Sequence, residues 1–295
     1  MPFLLDLIKL PFLCLLEVFY FVFRCRPKKE IKGQHILITG AGQGIGAEFA
    51  RQFADMGNIV HCVDIEEKLV NIVVEDLKST GHKAYSYTCD LTKHEQVQKL
   101  YDDVAGAGFV INVLINNAGV AFARPLHEMT LTQIQHAMNV NIVSNLWLIK
   151  LFIPKMLELN EGHIVNIASL AGIFPLKHNT DYCAAKAGSI HALSQLRSDH
   201  IHTNLKFTAV CPFFVNTKMI TGIKPPMTVS PEDLVTKAIR GIREDQEMVI
   251  VPNFFRVIKV IKDIAPSLLR SMAKNARSRG DINKFVGQRM SEKVQ

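Results

Sequence analysis

No two of the six cysteines stand at CxxC spacing, and none has a histidine at a zinc-ligand interval. That argues against a zinc ribbon or a dithiol redox centre. Cys14, Cys25, Cys62, Cys89, Cys183 and Cys211 lie mostly in apolar, strand-like surroundings and read as reduced thiols, so no metal site is expected. The middle of the chain also lacks positive charge. Of a net +7, residues 1–32 hold +3 and residues 253–295 hold +7, which leaves −3 for residues 33–252. A phosphate-facing surface would need the opposite sign, so nucleic acid is not an expected partner. The first apolar run has neither a basic n-region nor a small-residue cleavage site, so a cleaved secretory signal is not expected. Repeats and low-complexity tracts are missing as well.

What is present is enough apolar material for one large domain: 48% hydrophobic and 21% charged residues in a chain of 295. Both ends carry apolar runs beside basic clusters, a pattern suited to a membrane surface. In "MPFLLDLIKLPFLCLLEVFYFVF", Asp6, Lys9 and Glu17 interrupt the apolar stretch and Pro11 would kink it. A hairpin or interfacial helix fits at least as well as a clean span, and a buried core helix is the remaining reading. Arg24, Arg26, Lys28 and Lys29 follow; by the positive-inside rule they and the main domain lie on the cytosolic side. Near the other end, Phe254, Val257, Ile258, Ile261 and Ile264 recur at helical spacing with Arg256, Lys259 and Lys262 between them, and Pro266 ends the pattern. That basic amphipathic helix either touches lipid or packs on the domain. Three parts result: an anchor with a basic flank (1–32), a main domain (33–252) and a basic amphipathic segment (253–295).

In the main domain, β-branched runs alternate with segments long enough for crossover helices: 35–39, 59–64, 84–89, 111–116, 163–168, 206–211 and 248–251. The alternation predicts an α/β fold, a doubly wound parallel sheet of Rossmann type in a single domain behind the hydrophobic amino-terminal anchor. The first strand runs directly into "TGAGQGIG". Gly40, Gly44 and Gly46 supply a tight turn, close backbone approach to a pyrophosphate, and a helix start whose free N–H groups attract negative charge. Asp64 ends the second strand eighteen positions after Gly46, placed to accept from the adenosine ribose hydroxyls. Its neighbours Val63, Ile65 and Glu66 bring no cation for a 2′-phosphate, so NAD is expected rather than NADP.

In "DYCAAKAGS", Tyr182 and Lys186 are four positions apart, hence on one face of a helix. The pair suits acid–base chemistry; alone it reads more readily as a surface pair. Ser169 read alone is a helix or turn cap, Asn141 an interior amide and Asn117 a turn residue. His191, His200 and His202 have no acid at useful spacing and read as helical or surface residues.

With the glycine turn, "NNAG" at 116–119, Tyr182–Lys186 and "CPFFVNT" at 211–217, the chain from about 33 to 252 resembles the short-chain dehydrogenase/reductase family. Within it, the apolar amino terminus, "NIASLAG", "YCAAK" and "CPFFVNT" look most like the membrane-bound 17-beta-hydroxysteroid dehydrogenases of types 11 and 13 and epidermal retinol dehydrogenase 2. The resemblance implies an enzyme of the endoplasmic reticulum and lipid droplets, its domain facing the cytosol, acting on steroid, retinoid or related lipid alcohols, and a homodimer. It implies Asn141, Ser169, Tyr182 and Lys186 as the catalytic set. Along the cofactor it implies Gly40, Gly44, Ile45, Gly46 and Asp64, then Asp90 and Leu91 beside the adenine. Asn117, Ala118, Gly119, Tyr182, Lys186, Pro212 and Val215 follow, with Thr217 at the nicotinamide amide. One departure is visible: the family's usual Pro-Gly is Pro212-Phe213 here, which sets a ring beside the nicotinamide end.

The implied chemistry is alcohol oxidation with a Tyr182 phenolate as base. A free phenol, at about 10, is too weakly acidic for that near neutrality. A Lys186 charge about 4 Å away at an effective dielectric near 20 is worth about 4 kcal/mol, on the order of three pKa units before desolvation opposes it, so the pair is expected to be a tuned base. Ser169 would hold the substrate oxygen, Lys186 the nicotinamide ribose, and Asn141 a relay water. A lipid-droplet scaffold or a nicotinamide sensor with little turnover is the alternative class; detectable turnover separates it from an enzyme.

Overall fold

The computed structural model describes residues 28–220 and 227–264. Residues 1–27 of the expected amino-terminal anchor, residues 221–226 and the segment after 264 lie outside the described residues.

Seven strands form one sheet: β1 His35–Thr39, β2 Ile59–Asp64, β3 Ala84–Thr88, β4 Val113–Asn116, β5 His163–Ile167, β6 Lys206–Pro212 and β7 Met248–Val251. Their order is β3-β2-β1-β4-β5-β6-β7, and every pairing is parallel. This is the expected doubly wound sheet. The winding reverses between β1 and β4, so their carboxyl ends leave a crevice, the place where such sheets bind ligands. Strand ends depart from expectation by a residue or two. Ile111 and Asn112 stay outside β4 because Asn112 serves as a clamp: its Oδ1 accepts the His35 amide at 2.9 Å and its carbonyl the His163 amide at 2.9 Å.

The crossovers are α1 Gly44–Asp55, α2 Glu67–Ser79, α3 His94–Gly106, α4 Leu131–Met138, α5 Ser144–Leu159, α6 Thr180–Asp199 and α7 Pro231–Arg243; α8 Phe255–Ile264 follows β7. Successive strand residues point to opposite faces, so Ile36 and Ile38 join Phe49 and Phe53 of α1 and Leu234 and Val235 of α7 on one side. Leu37 faces the other side, with Val97 and Leu100 of α3 and Leu148 and Phe152 of α5. Both faces are covered, which explains why the strands read as continuous apolar runs. The start of α7 is capped: Ser230 Oγ accepts the Asp233 amide at 3.0 Å, with Pro231 at the first helical position.

A five-residue π-helical turn, Asn139–Val143, joins α4 to α5, so Leu131–Leu159 is one long apolar helix. It passes a length and composition test for a membrane span, but Leu148, Ile149, Phe152 and Met156 are buried in the core, which makes it a core helix.

Candidate active site

The turn after β1 is built by its glycines. Gly40 and Gly44 have φ of 63° and 57°, a region that side chains resist. A Cβ on Gly46 would collide with the Gly40 carbonyl, so helix and turn touch only because no side chain intervenes. Asp64 reaches back from β2: its Oδ2 accepts the Gly42 amide at 2.8 Å and its Oδ1 the Glu66 amide at 3.1 Å. The carboxylate therefore braces the glycine turn while lining the cavity beside it.

The "NNAG" loop after β4 is tied to that turn. Thr39 Oγ1 accepts the amides of Asn117 at 2.9 Å and Ala118 at 3.1 Å, while Asn117 Nδ2 donates to the Thr39 and Gly40 carbonyls at 2.8 and 3.1 Å. Asn117 thus meets the cavity with its side chain already engaged. Thr39 is a residue the motif reading passed over; the sign was its place just before the first glycine. Beyond β3, Thr92 Oγ1 donates to Asp90 Oδ1 at 2.7 Å and its amide to the same oxygen at 3.0 Å. Burial pushes the Asp90 carboxyl up, but these bonds outweigh it and hold it below the usual carboxylate range.

Asn141 sits in the π-turn, fully buried. Its Nδ2 donates to the carbonyls of Val120 at 2.8 Å and Ala137 at 2.9 Å, and its Oδ1 accepts the Val120 amide at 3.2 Å. The side chain is spent on the loop after "NNAG" and does not line the cavity.

Ser169 lies just past the end of β5 and caps a short 3-10 turn, its Oγ accepting the Ala171 amide at 3.1 Å. Tyr182 and Lys186 occupy the first turns of α6. The Ser169 hydroxyl favours the ionised form of the Tyr182 phenol, although burial outweighs it. Lys186 is 3% exposed, donates to the Ile167 carbonyl at 2.8 Å, and stands 5.6 Å from the centroid of the Tyr182 ring. The strand and helix therefore bring the three side chains together.

Their electrostatics differ from the expected tuning. Burial pushes the Tyr182 phenol up to about 12 and pulls the Lys186 ammonium down to about 8. Desolvation outweighs attraction, because both groups leave water. Tyr182 is only half-buried as a whole residue, since the cavity opens beside it.

One cavity of about 840 Å³ connects these groups. Gly40, Gly44, Ile45, Asp64, Asp90, Leu91, Asn117, Ala118, Gly119, Ser169, Tyr182, Lys186, Pro212, Val215 and Thr217 line it; Gly46 and Asn141 lie behind its wall. An aromatic wall was not foreseen in full. Phe213 packs on Phe214 at 4.8 Å and on Phe255 of α8 at 5.1 Å between ring centroids, with Phe174 6.1 Å from Phe255. Phe213 does not have positive φ, so the chain passes this point without needing the glycine usual there. Among the described residues no group of three or more His, Cys, Asp or Glu is placed to hold a metal.

Residues 34–227 match the short chain dehydrogenase family. The chain is a short-chain dehydrogenase/reductase. It is 36% identical to retinol dehydrogenase 10-B of Danio rerio over 82% of this chain and 81% of that one. It is 33% identical to epidermal retinol dehydrogenase 2 of Mus musculus over 86% and 85% of the two chains, and 31% identical to estradiol 17-beta-dehydrogenase 11 of Homo sapiens over 93% and 94%. The fold matches a short-chain dehydrogenase/reductase from Burkholderia phymatum in complex with NAD, at a TM-score of 0.75 and 24% identity over 81% of this chain and 96% of that one. As a short-chain dehydrogenase/reductase the protein is an oxidoreductase, and the family's cofactor is NAD(P). The residues present fit a dinucleotide: the open glycine turn, Asp64 beside it, and a cavity within the roughly 300–1,000 Å³ range of ligand sites.

Proposed function

We propose that this short-chain dehydrogenase/reductase interconverts a lipid-type alcohol, of the steroid or retinol class, and its carbonyl with NAD. The observation that carries the reading is the convergence of Ser169, Tyr182 and Lys186 on the cavity that also exposes the glycine turn and Asp64. The names of the relatives, retinol and estradiol dehydrogenases, support the substrate class. Asp64 favours NAD, because a 2′-phosphate would meet its charge and that of Glu66, with Ile65 between them.

When bound, NAD accepts the hydride lost from the alcohol carbon. The rest belongs to the protein. Tyr182 as phenolate takes the hydroxyl proton during oxidation and, as phenol, returns it during carbonyl reduction. Ser169 holds the substrate oxygen through its hydroxyl, which lines the same cavity as the phenol. Lys186 adds positive charge below the Tyr182 ring and presents its ammonium to the nicotinamide ribose. Asn141 acts from behind, fixing Val120 and the loop that carries Gly119. The aromatic wall of Phe174, Phe213 and Phe255 suits an apolar substrate.

The proposal includes an anchor at 1–32, the catalytic domain at 33–252 and a basic segment at 253–295, seated on the endoplasmic reticulum and lipid droplets with the domain in the cytosol. It also includes a homodimer, for which Leu146 and Leu159, exposed on α5, offer apolar surface. The test is NAD reduction by the membrane-bound full chain against a panel of steroid, retinoid and other lipid alcohols. Turnover of at least one supports the reading; none across the panel, with NAD bound, rejects it.

A further inference from the structure

The helix α8 is turned the opposite way from an ordinary surface helix. Its cations face the domain: Arg256 donates to Gln246 Oε1 at 2.6 Å and to the Met248 carbonyl at 3.2 Å, and Lys262 donates to the Ile173 carbonyl at 2.6 Å. Lys259 lines the same groove between α6 and α8. The outward side holds Val257 and Val260, with Phe254 in the turn just before the helix; they are 50%, 53% and 50% exposed. Apolar residues at i, i+3 and i+6 share a face, so the helix packs its basic side on the domain and leaves an apolar stripe exposed. On its inner side the helix contributes Phe255 to the wall of the catalytic cavity, against Phe213 and Phe174.

The charge around the stripe says what covers it. Residues 265–295 follow α8 directly and carry seven basic and two acidic side chains. A second copy would bring an equal excess of positive charge against the first. An apolar face on a helix whose following sequence carries a net +5 fits a membrane interface with anionic headgroups. We propose that the Phe254–Val257–Val260 face of α8 docks on a lipid surface, and that lipid alcohols pass from that surface into the cavity beside Phe255. This rests on the lipid-alcohol reading for the passenger and on the stripe alone for the docking.

The test uses the full chain in vesicles of phosphatidylcholine and phosphatidylserine. In a Trp147→Phe background, which removes the protein's single tryptophan, a tryptophan is placed at Val257 or, as a control, at Ile72, which is exposed on α2. Lipids brominated in their acyl chains should quench the first and spare the second. Equal, weak quenching at both positions overturns the docking, whatever the enzyme's substrate. A second variant, Val257→Glu with Val260→Glu, should lower kcat/KM for vesicle-borne retinol about tenfold while leaving a water-soluble alcohol such as cyclohexanol unchanged. An equal loss on both alcohols overturns the entry path. Turnover of neither alcohol by the unmodified protein rejects the lipid-alcohol reading instead, and the quenching still decides the docking.

Discussion

The Lys186 ammonium donates to the Ile167 carbonyl across 2.8 Å, tying the first turns of α6 to the end of β5. Two residues beyond Ile167 stands Ser169, and one helical turn before Lys186 stands Tyr182, so this bond sets the spacing of all three. Burial pulls Lys186 from its ordinary 10.5 to about 8. A depressed folded-state value means that stability is present above about 10.5 and is lost as pH falls through about 8. Lys186→Met should flatten urea-unfolding stability across that window while weakening NAD binding. An unchanged pH slope in the variant would show that Lys186 is not the buried group responsible.

The raised phenol gives a second pH dependence. With Tyr182 at about 12, the phenolate is scarce near neutrality. Alcohol oxidation should therefore gain close to tenfold in kcat/KM per pH unit on the neutral side of the value operating in the cofactor complex. Carbonyl reduction uses the phenol and should stay flat over the same range. Initial rates in both directions from pH 6 to 10 check the asymmetry.

Asp64 braces the glycine turn and, in the proposed reading, repels a 2′-phosphate at the ribose. Because its oxygens accept the Gly42 and Glu66 amides, Asp64→Asn keeps an acceptor where alanine would leave the turn unsupported. Combined with Ile65→Arg, which supplies a phosphate partner, it should shift the NAD-to-NADP ratio of kcat/KM by roughly 10- to 100-fold. A preference for NADP in the unmodified enzyme would contradict the role given to Asp64.

Phe213 stands where glycine is usual and packs on Phe255. Phe213→Gly should widen the cavity and raise relative kcat/KM for bulkier alcohols. It should also cost about 1–3 kcal/mol of stability through the lost ring contacts. Thermal unfolding and a size-graded alcohol series measure the two effects separately.

The sheet was legible because strands buried on both faces leave continuous apolar runs, and the glycine turn because few other sequences follow a strand with that spacing. The set Ser169, Tyr182 and Lys186 was legible from type and spacing through the family resemblance, and the fold brings it together. Its pKa directions were not, since they depend on how much water the fold removes, and sequence gives charge without enclosure. The engagement of the Asn117 and Asn141 side chains with backbone was hidden for a similar reason: their partners, Thr39, Gly40, Val120 and Ala137, are fixed only by tertiary packing. Periodicity likewise gave α8 an apolar stripe and a basic one but not which of them meets the domain.

The most direct measurement is the turnover and NAD affinity of Tyr182→Phe in the full, membrane-bound chain, which deletes one oxygen and leaves the ring. The account predicts NAD binding within a few-fold of the unmodified enzyme and a loss of lipid-alcohol oxidation of at least about 10²-fold. A near-normal oxidation rate in that variant would contradict it.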